Sequence, residues 1–362
     1  MQPLALLVVG VGNIGSYWLD EFAPKLPSAV YVAGLFRSRS AWLEVTPNVL
    51  PQWRQYMSEA TLTAAAVPAL ISEQIRYLCS LKQHVAVLDL TAAESVADYY
   101  SEWVAAGAHL ISANKAAGAS APAVYQELRR QLRQHQRQWL YNTTVGAALP
   151  IQAAIQRQLR AGDSIHAIEG VLSGSLGWLF QQLSRQPDTP FSSFLEQAIK
   201  LGYTEPDPRT DLRGTDVARK LLILAREAGW ELGLADIATQ SLVPPALAEV
   251  RLTELLQRLP EFDVPIAAQC HNRQHYYQYI GRVALVDGRL EASARLVGIE
   301  PSSAMAQLPP GDSYFAVYSE QYPVHPLVIQ GAGAGRDITA AGVHSDVLSL
   351  HDSFMTHSHQ GS

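Results

Sequence analysis

Residues 4–15 read LALLVVGVGNIG, an apolar run that ends in a glycine-rich turn. The turn has the pattern G-x-G-x-x-G, formed by Gly10, Gly12, Asn13, Ile14 and Gly15 with one intervening valine. Glycine allows a tight turn, a close backbone approach to a pyrophosphate, and close packing of a following helix on the strand. The first N–H groups of that helix present a positive partial charge to phosphates. The stretch therefore predicts a dinucleotide-binding domain that begins at the first strand.

Short apolar runs alternate with helical periodicity in the first part of the chain. The predicted strands are 4–9, 30–36, 85–90, 109–112 and 139–142, and the predicted helices are 14–22, 95–106 and 121–136. Apolar strands that alternate with helices indicate a parallel sheet covered on both faces. After Pro150 the pattern changes, and two β-rich runs flank Asp287-Gly288, a strong hairpin signal.

These patterns predict an α/β protein, a Rossmann-type doubly wound parallel sheet with an inserted α+β catalytic and dimerisation domain. The expected boundaries are 1–142 for dinucleotide binding, 143–325 for the inserted domain, 326–350 for a return to the first domain, and 351–362 for a frayed polar tail.

Composition excludes several classes of protein. The 362 residues are 48% hydrophobic and 17% charged, which is typical of a globular protein, and the formal charge of -6 argues against nucleic acid as the main partner. Cys79 and Cys270 have no metal-ligand spacing, and we expect a reducing cytoplasm. No apolar run approaches the roughly 20 residues that a membrane span needs. The apolar N-terminus also lacks the basic region of a signal peptide.

The end of the second predicted strand indicates which dinucleotide binds. NAD enzymes usually place an acid there, whereas this sequence has Arg37 and Arg39 and no acid. Because arginine offers a bidentate fork to a phosphate, we expect NADP, with NAD as the alternative. The other interpretation is that both arginines are ordinary solvated loop residues.

Residues 198–220, AIKLGYTEPDPRTDLRGTDVARK, concentrate charge in a loop constrained by proline and glycine. The charged candidates are Glu205, Asp207, Asp211, Asp216 and Lys220. Asp216 and Lys220 share a helix face, and Ile223 and Leu224 continue that stripe towards the interior. A weak surface salt bridge is the alternative. Clustered carboxylates opposite a lysine fit a site for an amino-acid ammonium beside a proton-transfer group.

Further candidates follow predicted strands of the first domain. Thr91 and Lys115 each come just after a strand, at the carboxyl edge where ligands bind in open α/β sheets. Three glycine segments, 145–150, 173–175 and 331–335, have the character of backbone-lined ligand contacts at strand ends.

The sequence resembles the homoserine dehydrogenase family. The matching segments are GVGNIG, DLTA, SANK, NTTVGAALP, LSGSLGWLF, GYTEPDPRTDLRGTDVARK and GAGAGRDITAAGV, which run from the first strand to about Leu350. The resemblance implies reversible oxidation of L-homoserine to L-aspartate 4-semialdehyde, coupled to NAD(P), in threonine and methionine biosynthesis. It also implies a homodimer, for which we expect the hairpin at Asp287-Gly288 to pair across the two-fold axis.

The resemblance also implies residue roles. Lys220 would transfer the proton at the reacting oxygen, and Lys115 would lie against the same oxygen or the cofactor. The substrate contacts would be Glu205 for the ammonium, Asp211 and Asp216 for the rest of the polar pocket, and Gly174 and Ser175. A loop containing Gly331, Gly333 and Gly335 would close over the dinucleotide. A sodium ion would be held by the backbone carbonyls of Asn142, Val145, Ala147 and Leu149.

Two alternatives remain open from the sequence. The protein could be a dehydrogenase of the same plan for a different semialdehyde or amino alcohol, or a sensor that binds NADP without turnover. We expect the short form of the family, without a kinase or regulatory domain, and therefore no threonine inhibition through a separate domain.

Overall fold

The computed structural model describes residues 2–43, 45–46, 48–58 and 62–358. The chain divides into two compact units. Unit 1 contains Met1–Ala148 and Gly335–Ser362, and unit 2 contains Leu149–Ala334. The sequence placed the corresponding boundaries after residues 142 and 325.

Unit 1 is built on a sheet with six strands among the described residues. They are β1 (Leu4–Val9), β2 (Val30–Arg37), β3 (Ser40–Trp42), β4 (His84–Asp89), β5 (Ala108–Ser112) and β6 (Trp139–Leu140). Their spatial order is β3-β2-β1-β4-β5-β6, and all neighbours pair in parallel except β2 and β3. The prediction of a doubly wound parallel sheet is confirmed, with one correction. The short edge strand β3 is antiparallel because the chain reverses tightly after Arg37.

Helices connect and cover these strands. Those that precede unit 2 are α1 (Asn13–Glu21), α2 (Trp53–Tyr56), α3 (Ala66–Ser80), α4 (Tyr100–Ala106) and α5 (Pro122–Gln134). The sequence analysis missed α3, although its buried Val67, Ile71, Ile75 and Leu78 have helical spacing. The predicted helix 95–106 is in fact a 3-10 turn, Glu94–Tyr99, followed by α4.

Unit 2 contains a second sheet and seven helices among the described residues. Its helices are α6 (Ile151–Arg160), α7 (Gly174–Arg185), α8 (Phe191–Leu201), α9 (Arg209–Leu212), α10 (Thr215–Glu227), α11 (Leu252–Leu255) and α12 (Asp263–Gln269). Its strands are β7 (Ile165–Val171), β8 (Ile237–Thr239), β9 (Tyr276–Val286), β10 (Arg289–Ile299), β11 (Asp312–Ser319) and β12 (Leu327–Ala332). Their order is β12-β11-β7-β9-β10-β8, antiparallel except between β8 and β10.

The hairpin predicted at Asp287-Gly288 joins β9 and β10, which pair over their whole length. Both turn residues have positive φ, 47° at Asp287 and 76° at Gly288. This conformation belongs to the type I′ turn, whose twist matches that of the flanking strands, and Asp-Gly is among its preferred pairs.

After unit 2 the chain re-enters unit 1 through the long helix α13 (Arg336–Ser358). Its buried Ala340, Val343, Val347 and Leu350 join the core that also contains Trp18 of α1. The frayed tail predicted from His351 is therefore wrong as far as Ser358, because Phe354 stacks on His84 with 3.8 Å between ring centroids. Residues 359–362 lie outside the described residues. Within the described part of the chain, no helix is long and apolar enough to cross a membrane.

Candidate active site

The glycine turn of unit 1 joins β1 to α1 as the sequence predicts. Gly10 has φ +94°, and a Cβ there would lie 2.6 Å from Cγ2 of Thr91. A Cβ at Gly15 would overlap the carbonyl oxygen of Gly10, so this glycine lets α1 pack on the strand. Around Gly12, in contrast, a Cβ would have no described atom within 4 Å. The turn is closed against the protein at Gly10 and Gly15 and open at Gly12, as a pyrophosphate cradle requires.

A cavity of about 400 Å³ lies beside this turn within unit 1. Its lining includes Gly10, Arg37, Ser38, Pro68 and Thr91, and none of its described lining residues is acidic. The Arg37 guanidinium is tethered there by a hydrogen bond of 3.1 Å from Nη1 to the carbonyl oxygen of Met57. Both arginines are exposed, but Arg39 is absent from the described lining of the cavity. The structure thus places Arg37 on the cavity and Arg39 outside its described lining, although the sequence predicted the same role for both.

Thr91 and Lys115 lie beyond the carboxyl ends of β4 and β5, which are adjacent strands. The Thr91 hydroxyl donates to Oδ1 of Asp89 over 2.7 Å, and this bond leaves its methyl group against Gly10. Lys115 is half-buried. Both residues therefore occupy the edge of the sheet at which ligands of this fold class bind.

In unit 2, Lys220 is held in place by two acceptors. Its Nζ donates to the carbonyl oxygen of Leu172 over 2.7 Å and lies 3.0 Å from Oδ2 of Asp216. The Leu172 carbonyl is available because β7 has ended and Ser173 begins α7 as its N-cap. The Lys220 side chain is 11% exposed, so the pair is more than a surface salt bridge.

Asp211 links the charged loop to the first turn of α7. Its Oδ1 accepts from the Ser175 hydroxyl at 2.7 Å, and its Oδ2 accepts from the backbone N–H of Glu205 at 2.9 Å. Burial raises the pKa of the Asp211 carboxyl above its ordinary value, and the nearby Asp216 charge raises it further, against these hydrogen bonds. Asp211 therefore sets the position of the Glu205 backbone and of Ser175, while the Glu205 residue itself is exposed.

Asp207 has a different role from the other acids of the loop. It pairs with Arg209 at 2.6 Å, and that ion pair holds the pKa of Asp207 below its usual value. Arg209 also donates through Nη1 to the carbonyl oxygens of Leu247, Ala248 and Val250. The pair anchors the loop to the neighbouring segment and stabilises its path.

The glycine segments differ from the loops that the sequence predicts. Gly174 is the first residue of α7. Gly331 is not in a loop, because it belongs to β12 and pairs with Ser313 of β11. A Cβ at Gly333 would overlap the Ser313 hydroxyl, and Gly335, with φ +129°, directly precedes α13. Contact of these glycines with a dinucleotide stays a prediction.

The segment assigned to sodium follows β6. Asn142–Thr144 forms a 3-10 turn rather than the end of a strand, and Ala147 has φ +53°. The backbone N–H of Asn142 donates to Asp346 of α13, whose pKa burial raises to about 7. No group of three or more His, Cys, Asp or Glu side chains in the described residues could hold a metal ion. Sodium ligation by Asn142, Val145, Ala147 and Leu149 stays a prediction.

The sequence analysis missed several residues that shape these sites. The Ser173 side chain caps α7 by accepting from the N–H of Leu176, and Ser before an apolar helix is a recognisable N-cap signal. Asp89 and Asn114 support Thr91 and Lys115, and the available signal was their position, Asp89 near the end of one predicted strand and Asn114 just after another. The Leu172 carbonyl had no signal, because any residue supplies one.

The parallel sheet, the G-x-G-x-x-G turn and the acid and lysine cluster define a nicotinamide-dinucleotide-dependent oxidoreductase. A family model described as the homoserine dehydrogenase NAD binding domain matches residues 10–142, and one described as homoserine dehydrogenase matches residues 150–348. The chain belongs to the homoserine dehydrogenase family, as the resemblance of its motifs implied.

Individual relatives agree with this assignment. A homoserine dehydrogenase of Emericella nidulans is 34% identical over 364 residues, which cover 96% of this chain and 98% of that protein. Bifunctional aspartokinase/homoserine dehydrogenase 2 of Escherichia coli is 34% identical over 359 residues. The match covers 96% of this chain but only 43% of the bifunctional enzyme, so the chain spans less than half of such relatives.

Solved structures share the fold. A Candida auris protein of unknown function is 30% identical and superimposes with a TM-score of 0.87 over 97% of this chain and 99% of that chain. A hyperthermophilic archaeal homoserine dehydrogenase in complex with NADPH has a TM-score of 0.70 at 17% identity, with 96% and 97% coverage. The second likeness concerns the fold alone.

Proposed function

We propose that this protein catalyses the reversible oxidation of L-homoserine to L-aspartate 4-semialdehyde, with NADP as its preferred cofactor. The observation that carries the proposal is the fixed Lys220 ammonium, held by the Leu172 carbonyl and Asp216 in a charged, half-buried site. A protein that only senses NADP would not need this cluster. Membership of the family supports the reaction.

Lys220 is the proposed proton-transfer group. An ammonium has three N–H donors, and two of them point to Leu172 and Asp216. The third is the one we assign to a substrate oxygen. In reduction Lys220 donates its proton to the aldehyde oxygen, and in oxidation the neutral amine accepts the hydroxyl proton. The bound dinucleotide supplies or accepts the hydride at the substrate carbon.

The remaining polar groups of unit 2 suit an amino-acid substrate. Negative charge for the substrate ammonium comes from Asp211, Asp216 and Glu205. Asp211 positions Glu205 by accepting a hydrogen bond from the Glu205 backbone N–H. The first turn of α7, at Gly174 and Ser175, has N–H groups without intrahelical acceptors and a positive partial charge. That end of the helix suits the substrate carboxylate.

The test is an absorbance assay of NADPH or NADH formation by the purified protein with L-homoserine, run separately with NADP and NAD. Rapid reduction with homoserine, but not with other amino alcohols, supports the proposed substrate. Activity on a different amino alcohol alone would replace homoserine by that substrate. No turnover in either reaction direction, with NADP binding retained, would favour a protein that senses NADP without catalysis.

Arg37 is the proposed determinant of NADP preference. Among the described residues that line the cavity it is the one basic side chain, able to pair with a 2′-phosphate, and its tether to Met57 holds the guanidinium there. We expect Arg37→Ala to raise the KM for NADP by about tenfold or more, from the loss of a charge-assisted contact. The KM for NAD, which lacks this phosphate, should change little.

Arg39→Ala is the matched control, because Arg39 is two residues away and exposed like Arg37, but is absent from the described lining of the cavity. Its KM for NADP should stay within about twofold of the parent value. Equal losses in both variants would show that the two arginines share the phosphate. A similar rise for NAD in Arg37→Ala would contradict the assignment.

We further propose a cytoplasmic homodimer that forms through the β9–β10 hairpin. Leu285 and Val286 precede its turn and are 46% and 39% exposed, so the hairpin carries apolar surface that a two-fold contact would bury. We expect Leu285→Glu to shift the mass in multi-angle light scattering from dimer to monomer. A monomeric parent protein at working concentration would contradict this. A sodium ion at 142–149 is a further expectation from the family.

A further inference from the structure

Asp89 is a buried carboxylate that no step of the proposed reaction uses. It ends β4, is 1% exposed, and accepts four hydrogen bonds. Oδ1 accepts from the backbone N–H and hydroxyl of Thr91 at 2.9 and 2.7 Å. Oδ2 accepts from the Tyr100 hydroxyl at 2.8 Å and from Nδ2 of Asn114 at 3.0 Å. Burying a carboxylate is costly, so this full set of donors is what makes the position tolerable.

Two hydrogen bonds between side chains lie in the interior of unit 1, near the ends of β4 and β5. Trp139 Nε1 donates to the Ser112 hydroxyl over 2.9 Å, and an indole N–H can only donate. The Tyr100 hydroxyl directs its one hydrogen to Asp89. Because Tyr100 and Asn114 both donate to Oδ2, they fix the orientation of the Asp89 carboxylate, and its charge strengthens both hydrogen bonds.

On the other side, Asp89 fixes the backbone around Lys115. Nδ2 of Asn114 donates to Asp89 and also to the Ala93 carbonyl at 2.9 Å. Both amide hydrogens are thus committed, which leaves Oδ1 of Asn114 to accept the backbone N–H of Ala116 at 2.9 Å. The residues before and after Lys115 are therefore both tied to one amide, and that amide is oriented by Asp89.

The same carboxylate also orients Thr91. With its hydroxyl bonded to Oδ1, Thr91 turns its methyl group to Gly10 and lines the cofactor cavity. Asp89 therefore orients side chains at the ends of two adjacent strands and beside the glycine turn.

We propose that Asp89 is a positioning residue that sets Lys115 for the reaction, acting through Asn114. The inference rests on the proposed function and on the role that the family resemblance implies for Lys115, against the reacting oxygen or the cofactor. Asp89 itself touches neither substrate nor cofactor in this scheme. The alternative is that Asp89 only stabilises unit 1, and the two roles predict different coupling to Lys115.

The test is a double-mutant cycle of Asp89→Asn and Lys115→Ala, with kcat measured under NADPH saturation. Asn has the size of Asp, but its amide replaces one acceptor oxygen with an N–H donor. That donor would face either the donors of Thr91 or the donors of Tyr100 and Asn114, so hydrogen bonds on that side would be lost. We expect Asp89→Asn to lower kcat by about tenfold or more in the parent. In the Lys115→Ala background the same change should lower kcat by less than about twofold, because the positioned group is gone.

Equal fold-losses in both backgrounds, with Lys115→Ala impaired, would overturn the positioning role and leave the proposed function intact. An unchanged kcat in Lys115→Ala alone would remove Lys115 from the mechanism, and this inference with it. Since Asp89→Asn can fail to fold, Tyr100→Phe provides a milder version that removes one donor and retains the ring. Its loss of kcat should be smaller, about threefold, and should likewise vanish without Lys115.

Discussion

Replacing Lys220 with alanine is expected to lower kcat with L-homoserine by about a hundredfold or more, because the reaction loses its proton-transfer group. NADPH binding, measured by the fluorescence of the bound cofactor, should persist, since Lys220 belongs to unit 2 and the glycine turn to unit 1. Loss of the hydrogen bond to Leu172 and of the ion pair with Asp216, whose side chain is 44% exposed and can be solvated, should cost about 1–3 kcal/mol of stability. The variant should therefore lose activity while it remains folded.

Lys200→Ala is the matched control for the loss of a lysine near this loop. Lys200 is 77% exposed and lies 3.7 Å from Glu196, one turn away on α8, so its removal should leave kcat within about twofold. Lys220→Arg tests geometry, because a planar guanidinium keeps the charge but cannot occupy the ammonium position between Leu172 and Asp216. A Lys220→Ala enzyme with a tenth or more of parent turnover would contradict the assigned role.

Gly214→Ala is expected to destabilise the protein by about 3 kcal/mol or more and to abolish most activity. Gly214 has φ +71° and is the N-cap of α10, the helix that carries Asp216 and Lys220. A Cβ there would overlap the Tyr279 hydroxyl and lie 2.7 Å from its ring Cζ. Tyr279 is fully buried, and its one hydroxyl hydrogen is shared between the carbonyl oxygens of Gln240 and Ala294, so it cannot move aside without losing this bonding.

Gly202→Ala separates backbone strain from this contact. Gly202 has the same φ, +71°, ends α8, and has no described atom within 4 Å of an added Cβ. We expect a loss of about 1 kcal/mol there, from the left-handed conformation alone. Urea unfolding measures both variants, and equal destabilisation would mean that the Tyr279 contact does not matter. Adding Tyr279→Phe to Gly214→Ala should recover part of the lost stability.

The elements of unit 1 that bury apolar side chains on every residue were predictable. The strand at residues 4–9 was predicted with the observed bounds, because its six residues are apolar and a glycine turn ends it. Elements that depend on contact with a part of the chain distant in sequence were not predictable. The edge strand β3 depends on pairing with β2, and the helical form of residues 351–358 depends on Phe354 meeting His84. Neither contact leaves a local pattern.

The candidate site divides in a similar way. The spacing of Asp216 and Lys220 already placed them on one helix face, because that relation is local. The second acceptor of Lys220, the Leu172 carbonyl, is 48 residues away and is a backbone atom. The difference between Arg37 and Arg39 likewise depends on Met57, whose carbonyl tethers only the first.

By itself, the sequence determined the parallel dinucleotide-binding sheet, the glycine turn, the hairpin at Asp287-Gly288 and the residues of the acid and lysine cluster, since periodicity, turn chemistry and short spacings are local properties. Only the tertiary structure decided which of these side chains are fixed in position and which hydrogen-bond partners fix them. Asp89 became a centre for Thr91, Tyr100 and Asn114 only when two strands and a helix converged on it. The physical reason is that a hydrogen bond between distant residues depends on where the chain places both partners, and residue type alone does not record that.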